Sequence, residues 1–227
     1  MKKGYIFALI LFLLFPTLVF ASRYDLKDTD LSILLNDEVW YSFTRDNIKE
    51  NELLEELGIT YDYLKEFMDK NSIYLDAVSF SKDTEDTIEL FVRKKEGINV
   101  DNLNKYSKKE MNLLKEELAQ KQNSPFSEIY ENDYKFIHLE YPDGTYQVLE
   151  YYTVINHDAY TITVQKNSEF TSSEKEEIKK IIDSIIFDID ASSTEDFKNF
   201  EYIIIGAIAG AIGGLLVYFQ NRKKIKI

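Results

Sequence analysis

His138 and His157 are the only histidines in the 227 residues, and there is no cysteine. This leaves few groups for metal binding or for proton transfer near neutral pH, and it removes thiol chemistry altogether. If Pro142 and Asp143 form the centre of a tight turn, His138 falls opposite about Gln147, and His157 lies about ten residues farther along the partner strand. At about 3.3 Å per residue the two rings are then roughly 30 Å apart, too far to share a metal. His157, beside Asp158, reads as a turn residue and His138 as a sheet-face residue. No His-Glu-x-x-His, Gly-x-Ser-x-Gly, phosphate loop or dinucleotide fingerprint occurs. Asp83, Glu85 and Asp86 offer oxygen ligands, but the twelve-residue calcium spacing with its central glycine is missing, so they read as a solvated loop. With 40 acidic residues, a carboxylate pair able to hydrolyse a glycosidic bond stays open, because spacing along the chain does not give separation in space. Tyr146, Tyr151, Tyr152 and Tyr160 form either a binding surface or cross-strand packing. The residue types thus assign no catalytic, cofactor or metal site.

The elements that would position such groups begin with two apolar segments. Residues 1–21 run from Lys2 and Lys3 through an apolar stretch, Tyr5 to Phe15, to small residues at Val19 and Ala21. This is the layout of a secretory signal with cleavage between Ala21 and Ser22; an uncleaved N-terminal anchor is the alternative. A second run, Tyr202 to Phe219, has no charged residue, and 18 residues at about 1.5 Å each reach about 27 Å, close to a hydrocarbon core. Arg222, Lys223, Lys224 and Lys226 follow it, so the basic excess places the C-terminus in the cytoplasm and the preceding domain outside it. Within the run, Gly206, Gly210 and Gly214 recur every four residues beside Ala207 and Ala211. That small-residue spacing suits close approach of a second helix, in a homo-oligomer or with another membrane protein, or else is an idle span.

The expected plan is a signal at 1–21, an extracytoplasmic domain at 22–187, a stalk at 188–201, a transmembrane helix at 202–219 and a basic tail at 220–227. Removing the six basic residues of the two end segments leaves 21 basic against 40 acidic side chains, a net charge of −19 for the rest. Such a field disfavours nucleic acid and anionic lipid and favours cationic partners. Without disulfides the domain must be held by its own core.

Along the domain, Leu31, Ile33 and Leu35 alternate with polar residues, then an Asn36-Asp37 turn leads to a second strand at Trp40 to Thr44. Glu52 to Leu57, stopped by Gly58, and Thr60 to Asn71, capped by Thr60, read as helices with a stripe of Leu53, Leu54, Leu57, Leu64, Phe67 and Met68. Ser72 to Ser81 and Thr87 to Arg93 alternate around a polar loop at Lys82 to Asp86. Ser107 and Glu110 have capping-box spacing before a helix to Gln122, with Met111, Leu114 and Leu118 as its core stripe. Tyr134 to Tyr141, a Pro142-Asp143-Gly144 turn, Thr145 to Asn156, a turn at His157-Asp158, and Tyr160 to Lys166 predict a three-stranded meander. Thr171 and Glu174 cap a last helix packed through Ile178, Ile181, Ile182 and Ile185. Antiparallel strands interrupted by helices imply an α+β domain, one antiparallel sheet flanked by helices.

This order, the pattern around Leu31 to Trp40, the Tyr152-Thr153-Val154-Ile155 strand beside Tyr160-Thr161-Ile162-Thr163, and the closing Ile182-Asp183-Ser184-Ile185-Ile186-Phe187 resemble the Mog1/PsbP-like family. Asn36-Asp37 departs from the family's opening, where proline and glycine often precede the tryptophan. The resemblance implies an α/β/α sandwich serving as a binding or assembly module, and it carries over no catalytic residue. The expected function is a membrane-anchored binding module for a partner protein or cationic ligand, with an extracellular carboxylate-pair hydrolase as the alternative.

Overall fold

The alternation of Leu31, Ile33 and Leu35 predicts a strand with one buried face, and the computed structural model places those three in the core with the residues between them half-buried. The structure describes residues 21–52, 54, 58–80 and 86–188. The signal segment before Ala21, most of the expected helix at Glu52 to Leu57, Asp83 and Glu85, the stalk beyond Asp188, the apolar run with its glycines, and the basic tail lie outside the described residues. Among the described residues no helix is long and apolar enough to cross a membrane.

The strands are β1 (Ala21–Asp25), β2 (Leu31–Asn36), β3 (Trp40–Thr44), β4 (Ile73–Phe80), β5 (Thr87–Lys95), β6 (Phe126–Glu131), β7 (Lys135–Asp143), β8 (Tyr146–Ile155), β9 (Asp158–Lys166) and β10 (Ile186–Phe187). The helices are α1 (Tyr61–Lys70), α2 (Lys108–Gln122) and α3 (Ser172–Asp183). Seven strands form one antiparallel sheet in the order β3-β4-β5-β9-β8-β7-β6, while β1, β2 and β10 form a second, three-stranded sheet. The expected α+β class and flanking helices are present; the expectation of a single sheet is corrected by the small one. The edge strand β6 and the opening strand β1 are also additional to the sequence reading.

The helices begin where their caps predict. Thr60 accepts from the Tyr63 amide, and Ser107 with Glu110, like Thr171 with Glu174, closes a reciprocal capping box. Leu64, Phe67 and Met68 are buried along α1, Met111 and Leu118 along α2, and Ile178, Ile181 and Ile182 along α3, with Leu114 half-buried.

The turns differ in detail from the sequence reading. Asp143 pairs with Tyr146, so Gly144 and Thr145 form the two-residue loop, and Gly144 supplies the positive φ of 61°. Pro142 belongs to β7, at a position where it pairs with Gln147. In the next hairpin Asn156 and His157 occupy the loop with φ of 50° and 67°, the left-handed pair of a type I′ turn.

One face of the large sheet carries a continuous core in which Leu75, Leu90, Val92, Tyr151, Ile162 and Val164 meet α3 and the small sheet. The other face carries two separate clusters, one under α1 around Phe43, Met68 and Phe91, the other under α2 around Leu118, Ile137 and Tyr152. β4 and β5 are therefore buried on both faces, where alternation alone had indicated one buried face.

Two buried lysines fasten the cover over the α3 face. Lys166 is wholly buried, and its ammonium donates to both Glu174 oxygens at 2.9 Å. Burial pushes the Glu174 carboxyl upward, but hydrogen bonds from the Thr171 amide, Lys166 and the Thr171 hydroxyl hold it below its ordinary range. At the other end Lys94 lies 2.8 Å from Asp158 and donates to the Asp28 carbonyl at 3.2 Å, in the loop between β1 and β2.

Glu174→Gln leaves the Lys166 ammonium buried without its counter-charge and is expected to cost about 3 kcal/mol or more, whereas Thr171→Ala, which removes only the cap hydroxyl, is expected to cost about 1 kcal/mol. Because the native carboxyl titrates below the unfolded one, its contribution is complete above the ordinary glutamate pKa of about 4.3 and is lost as pH falls toward the native value. Urea unfolding followed by circular dichroism measures both effects; equal costs for the two variants would contradict the assignment.

Candidate functional site

A recess of about 380 Å³ opens beside the small sheet, where the first strand, the β1–β2 loop and the end of the described chain meet. Its rim carries Asp25, Asp30, Asp46 and Asp188, all exposed, with Lys27 the basic group among its lining residues. The fold brings these residues together from distant positions. β10 pairs with β2, and the Asp188 amide then donates to the Asp30 carbonyl at 2.7 Å, which ties the segment after α3 to the β1–β2 loop. Lys27 reaches Asp46 at 3.4 Å, an exposed contact of little energetic weight. The recess thus presents an excess of carboxylates to solvent beside the apolar side chains of Leu26, Leu31 and Ile186. Such a surface suits an ammonium or guanidinium carried on an aliphatic stem.

The predicted site residues fall elsewhere. Ala21 and Ser22 lie at the start of β1, paired with Asn36 and Leu35. His138 stands opposite Tyr151, four residues from the Gln147 position expected from a Pro142-Asp143 turn, because the loop lies two residues later, at Gly144-Thr145, and Pro142 stays in the strand. His157 is in the next turn, six residues past Tyr151, or about 20 Å along the strand by the usual rise rather than the larger separation expected. Among the described residues no group of three His, Cys, Asp or Glu side chains is placed to hold a metal ion. Asp86, the described member of the acidic loop, accepts from the Ser168 hydroxyl. Of the four tyrosines considered as a surface, Tyr151, Tyr152 and Tyr160 are buried in cross-strand packing and Tyr146 is half-buried.

His138 has a defined environment on the α3 face. Its ring lies flat on Tyr151, with centroids 4.3 Å apart, and takes the edge of Phe126 at 5.6 Å. Nδ1 is 3.0 Å from the Glu128 carboxylate, while Glu140, 3.8 Å from Nε2, is held by Lys175 of α3 at 2.5 Å. Burial lowers its pKa and outweighs the upward pull of Glu128 and Glu140.

A third cluster escaped the sequence reading. In the seam between the clusters under α1 and α2, the large sheet carries Asp76, Glu89, Arg93, Glu150, Thr163 and Gln165, each at most 4% exposed. Cross-strand pairing sets Asp76, Phe91, Thr163 and Glu150 in one row, Glu89 beside Gln165, and Arg93 beside Thr161. Tyr141 donates to Glu150 at 3.0 Å, Gln165 to Glu89 at 3.3 Å, and Arg93 Nη1 to the Thr163 hydroxyl at 3.4 Å. Burial raises the Glu150 pKa against the opposing effects of Tyr141 and Arg93. The signal that marks this cluster in the sequence is a charged residue inside an apolar strand: Glu89 and Arg93 in β5, and Glu150 in β8.

No family model matches the chain, and no curated protein matches it. Among solved structures it is similar to the solution structure of cyanobacterial PsbP (CyanoP) from Synechocystis sp. PCC 6803, with 12% identity and a TM-score of 0.42 over 75% of this chain and 94% of that one.

His138 makes the native state resist protonation, so the unfolded chain takes up a proton at the ordinary imidazole pKa of about 6.5 that the native chain accepts only at lower pH. Stability is expected to be complete above that pH and to fall as the solution is acidified through it. His138→Phe, which keeps the stack on Tyr151, removes this dependence between about pH 7 and 5; an unaltered slope in urea titrations across that window would refute the assignment.

Proposed function

We propose that this chain is a membrane-anchored binding or assembly module, not an enzyme, whose acidic domain stands outside the cytoplasm and engages a cationic group of a partner protein. The observation that carries the reading is the recess rimmed by Asp25, Asp30, Asp46 and Asp188. It lies where the folded domain leads into the segment toward the apolar run, which begins 14 residues after Asp188. That position puts the recess near the bilayer if Tyr202 to Phe219 spans it, within reach of a basic juxtamembrane segment of a neighbouring protein. The overall negative charge of the domain steers such a partner by the same sign of field. The carboxylates whose environment departs most from water, Glu150 above all, are enclosed in the sheet rather than presented to a substrate, which favours binding over hydrolysis.

Fractionation should find the full chain in membranes, and protease added to intact cells should remove residues 22–188 while sparing the C-terminal tail. Detergent-solubilised full-length protein should co-purify with a partner at near-stoichiometric level. Asp30→Lys with Asp46→Lys, both on exposed positions, should weaken that capture about tenfold or more and make it insensitive to salt. Recovery in the soluble fraction alone would remove the anchoring half of the reading, and undiminished capture by the double variant would remove the recess.

A further inference from the structure

The β7–β8 hairpin fixes which backbone groups of the edge strand β6 are left open. Asp143 and Tyr146 close its two-residue loop, and the closing pair of such a hairpin exchanges both of its hydrogen bonds. By alternation, Tyr141, Leu139 and Ile137 turn their N–H and C=O groups toward β8, whereas Glu140, His138 and Phe136 turn theirs toward β6. Phe126, Glu128 and Tyr130 are the residues paired with those three, so Ser127, Ile129 and Glu131 direct their backbone groups away from the sheet. Among the described residues no hydrogen bond from another element reaches those groups. The opposite edge of the sheet is closed: the Asn47 side chain accepts from the Thr44 amide at 2.7 Å and donates to the Ser42 carbonyl at 3.0 Å, covering β3. β6 has no proline, lysine or bulge of the kind that keeps an edge strand from pairing.

The side chains select the occupant. Antiparallel pairing of β6 with a second β6 about Ile129 sets Ile129 beside its own copy and Ser127 opposite Glu131, so that three pairs each exchange two hydrogen bonds across the join. On the α2 face the half-buried Ile129 meets its equivalent, and the Ser127 hydroxyl meets the Glu131 carboxylate. On the α3 face Glu128 of each copy stands opposite Tyr130 of the other, and the Lys179 ammonium of α3 lies 5.7 Å over that Tyr130 ring. Each exposed Glu128 therefore arrives beside a lysine of the other copy. A two-fold centred one residue earlier would set Glu128 directly against itself, which like charge disfavours.

The path of the chain agrees with this occupant. A two-fold that relates antiparallel strands of one sheet runs normal to the sheet, so both copies keep α3 and the small sheet on the same side. The described chain ends on that side, at Asp188, 14 residues before the apolar run, and both runs can then enter one bilayer. Anchoring, for which this clause rests on the proposed function, raises the local concentration and offsets the repulsion between two acidic domains.

We propose that β6 pairs with β6 of a second copy of this chain, making one sheet continuous through both domains, with Ile129 on the two-fold and Glu128 of each copy facing Lys179 of the other. The surface is separate from the acidic recess.

The chain has no cysteine, so Ile129→Cys gives one thiol per copy. Facing residues of such a pair have Cα atoms about 5.5 Å apart, inside the range of about 4.4–6.8 Å that a disulfide spans. Mild oxidation of the full-length variant in membranes is expected to give a linked dimer, and Leu113→Cys, exposed on α2, is expected to give none. Ser127→Pro removes an outward N–H that the monomer does not use and should lower the dimer fraction in detergent, measured by light scattering, about tenfold or more. Glu128→Lys should weaken the dimer and addition of Lys179→Glu should restore it, a rescue that a different partner would not produce; melting temperatures report whether each variant is folded. A monomeric chain, equal linking at positions 129 and 113, or undiminished association of folded Ser127→Pro would each overturn the proposal. Linking of a chain recovered only in the soluble fraction would uphold it while removing the anchoring reading, and a membrane-bound chain that does not link would do the reverse.

Discussion

The large sheet is buried on both faces at its centre, and the architecture follows from the need to cover it twice. On one side the cover is made of two pieces that are far apart in sequence, the three-stranded sheet and α3. Each piece is fastened to the large sheet by a lysine that the cover itself buries. Lys94 reaches the β1–β2 loop and Lys166 reaches the first turn of α3. Lys166 pairs there with Glu174, whereas Lys94 donates to the Asp28 carbonyl while its ion pair is with Asp158 of β9; the worth of both pairs lies mainly in what their disruption costs, because an unpaired buried ammonium is far less favourable than either a pair or an apolar side chain. Trp40 adds a link of another kind, donating from its indole nitrogen to Glu177 of α3 at 3.2 Å while the ring packs into the core.

The opposite face is covered differently. There α1 and α2 sit over separate apolar clusters, and the strip between them is polar on β4, β5, β9 and β8. A protein without disulfides, dependent on its own core, gains nothing in stability from acids and an arginine at the middle of its sheet. The seam therefore stands out against the continuous apolar core on the other face, where charged side chains appear in compensated pairs. His138 follows the same economy, since stacking on Tyr151 and contact with Glu128 accommodate an imidazole that remains neutral.

Several elements are readable from the chain alone. The capping boxes at Ser107 and Thr171 fixed where two helices begin, since they involve residues three positions apart. The isoleucine face of α3 and the alternation of β2 identified core side chains correctly. Gly144 located a hairpin, although the loop lies two residues later than a turn centred on Pro142 and Asp143, and this displacement moves the partner of His138 from Gln147 to Tyr151. The strand β6 was missed because its pattern is mostly half-exposed, as befits an edge with hydrogen bonds on one side.

Local chemistry thus determined the caps, the hairpins, the α+β class and the acidic character of the domain, because those depend on neighbours in sequence and on composition. Tertiary structure alone decided that Asp76, Arg93, Glu150 and Thr163 share one buried seam, and that Asp30 and Asp188 share one recess. Both depend on pairing between β5 and β9 or between β2 and β10, whose residues are separated by tens to more than a hundred positions. Nothing in the spacing of side chains along a strand specifies which distant strand it will lie beside; that choice is made by burying both faces of the sheet at once.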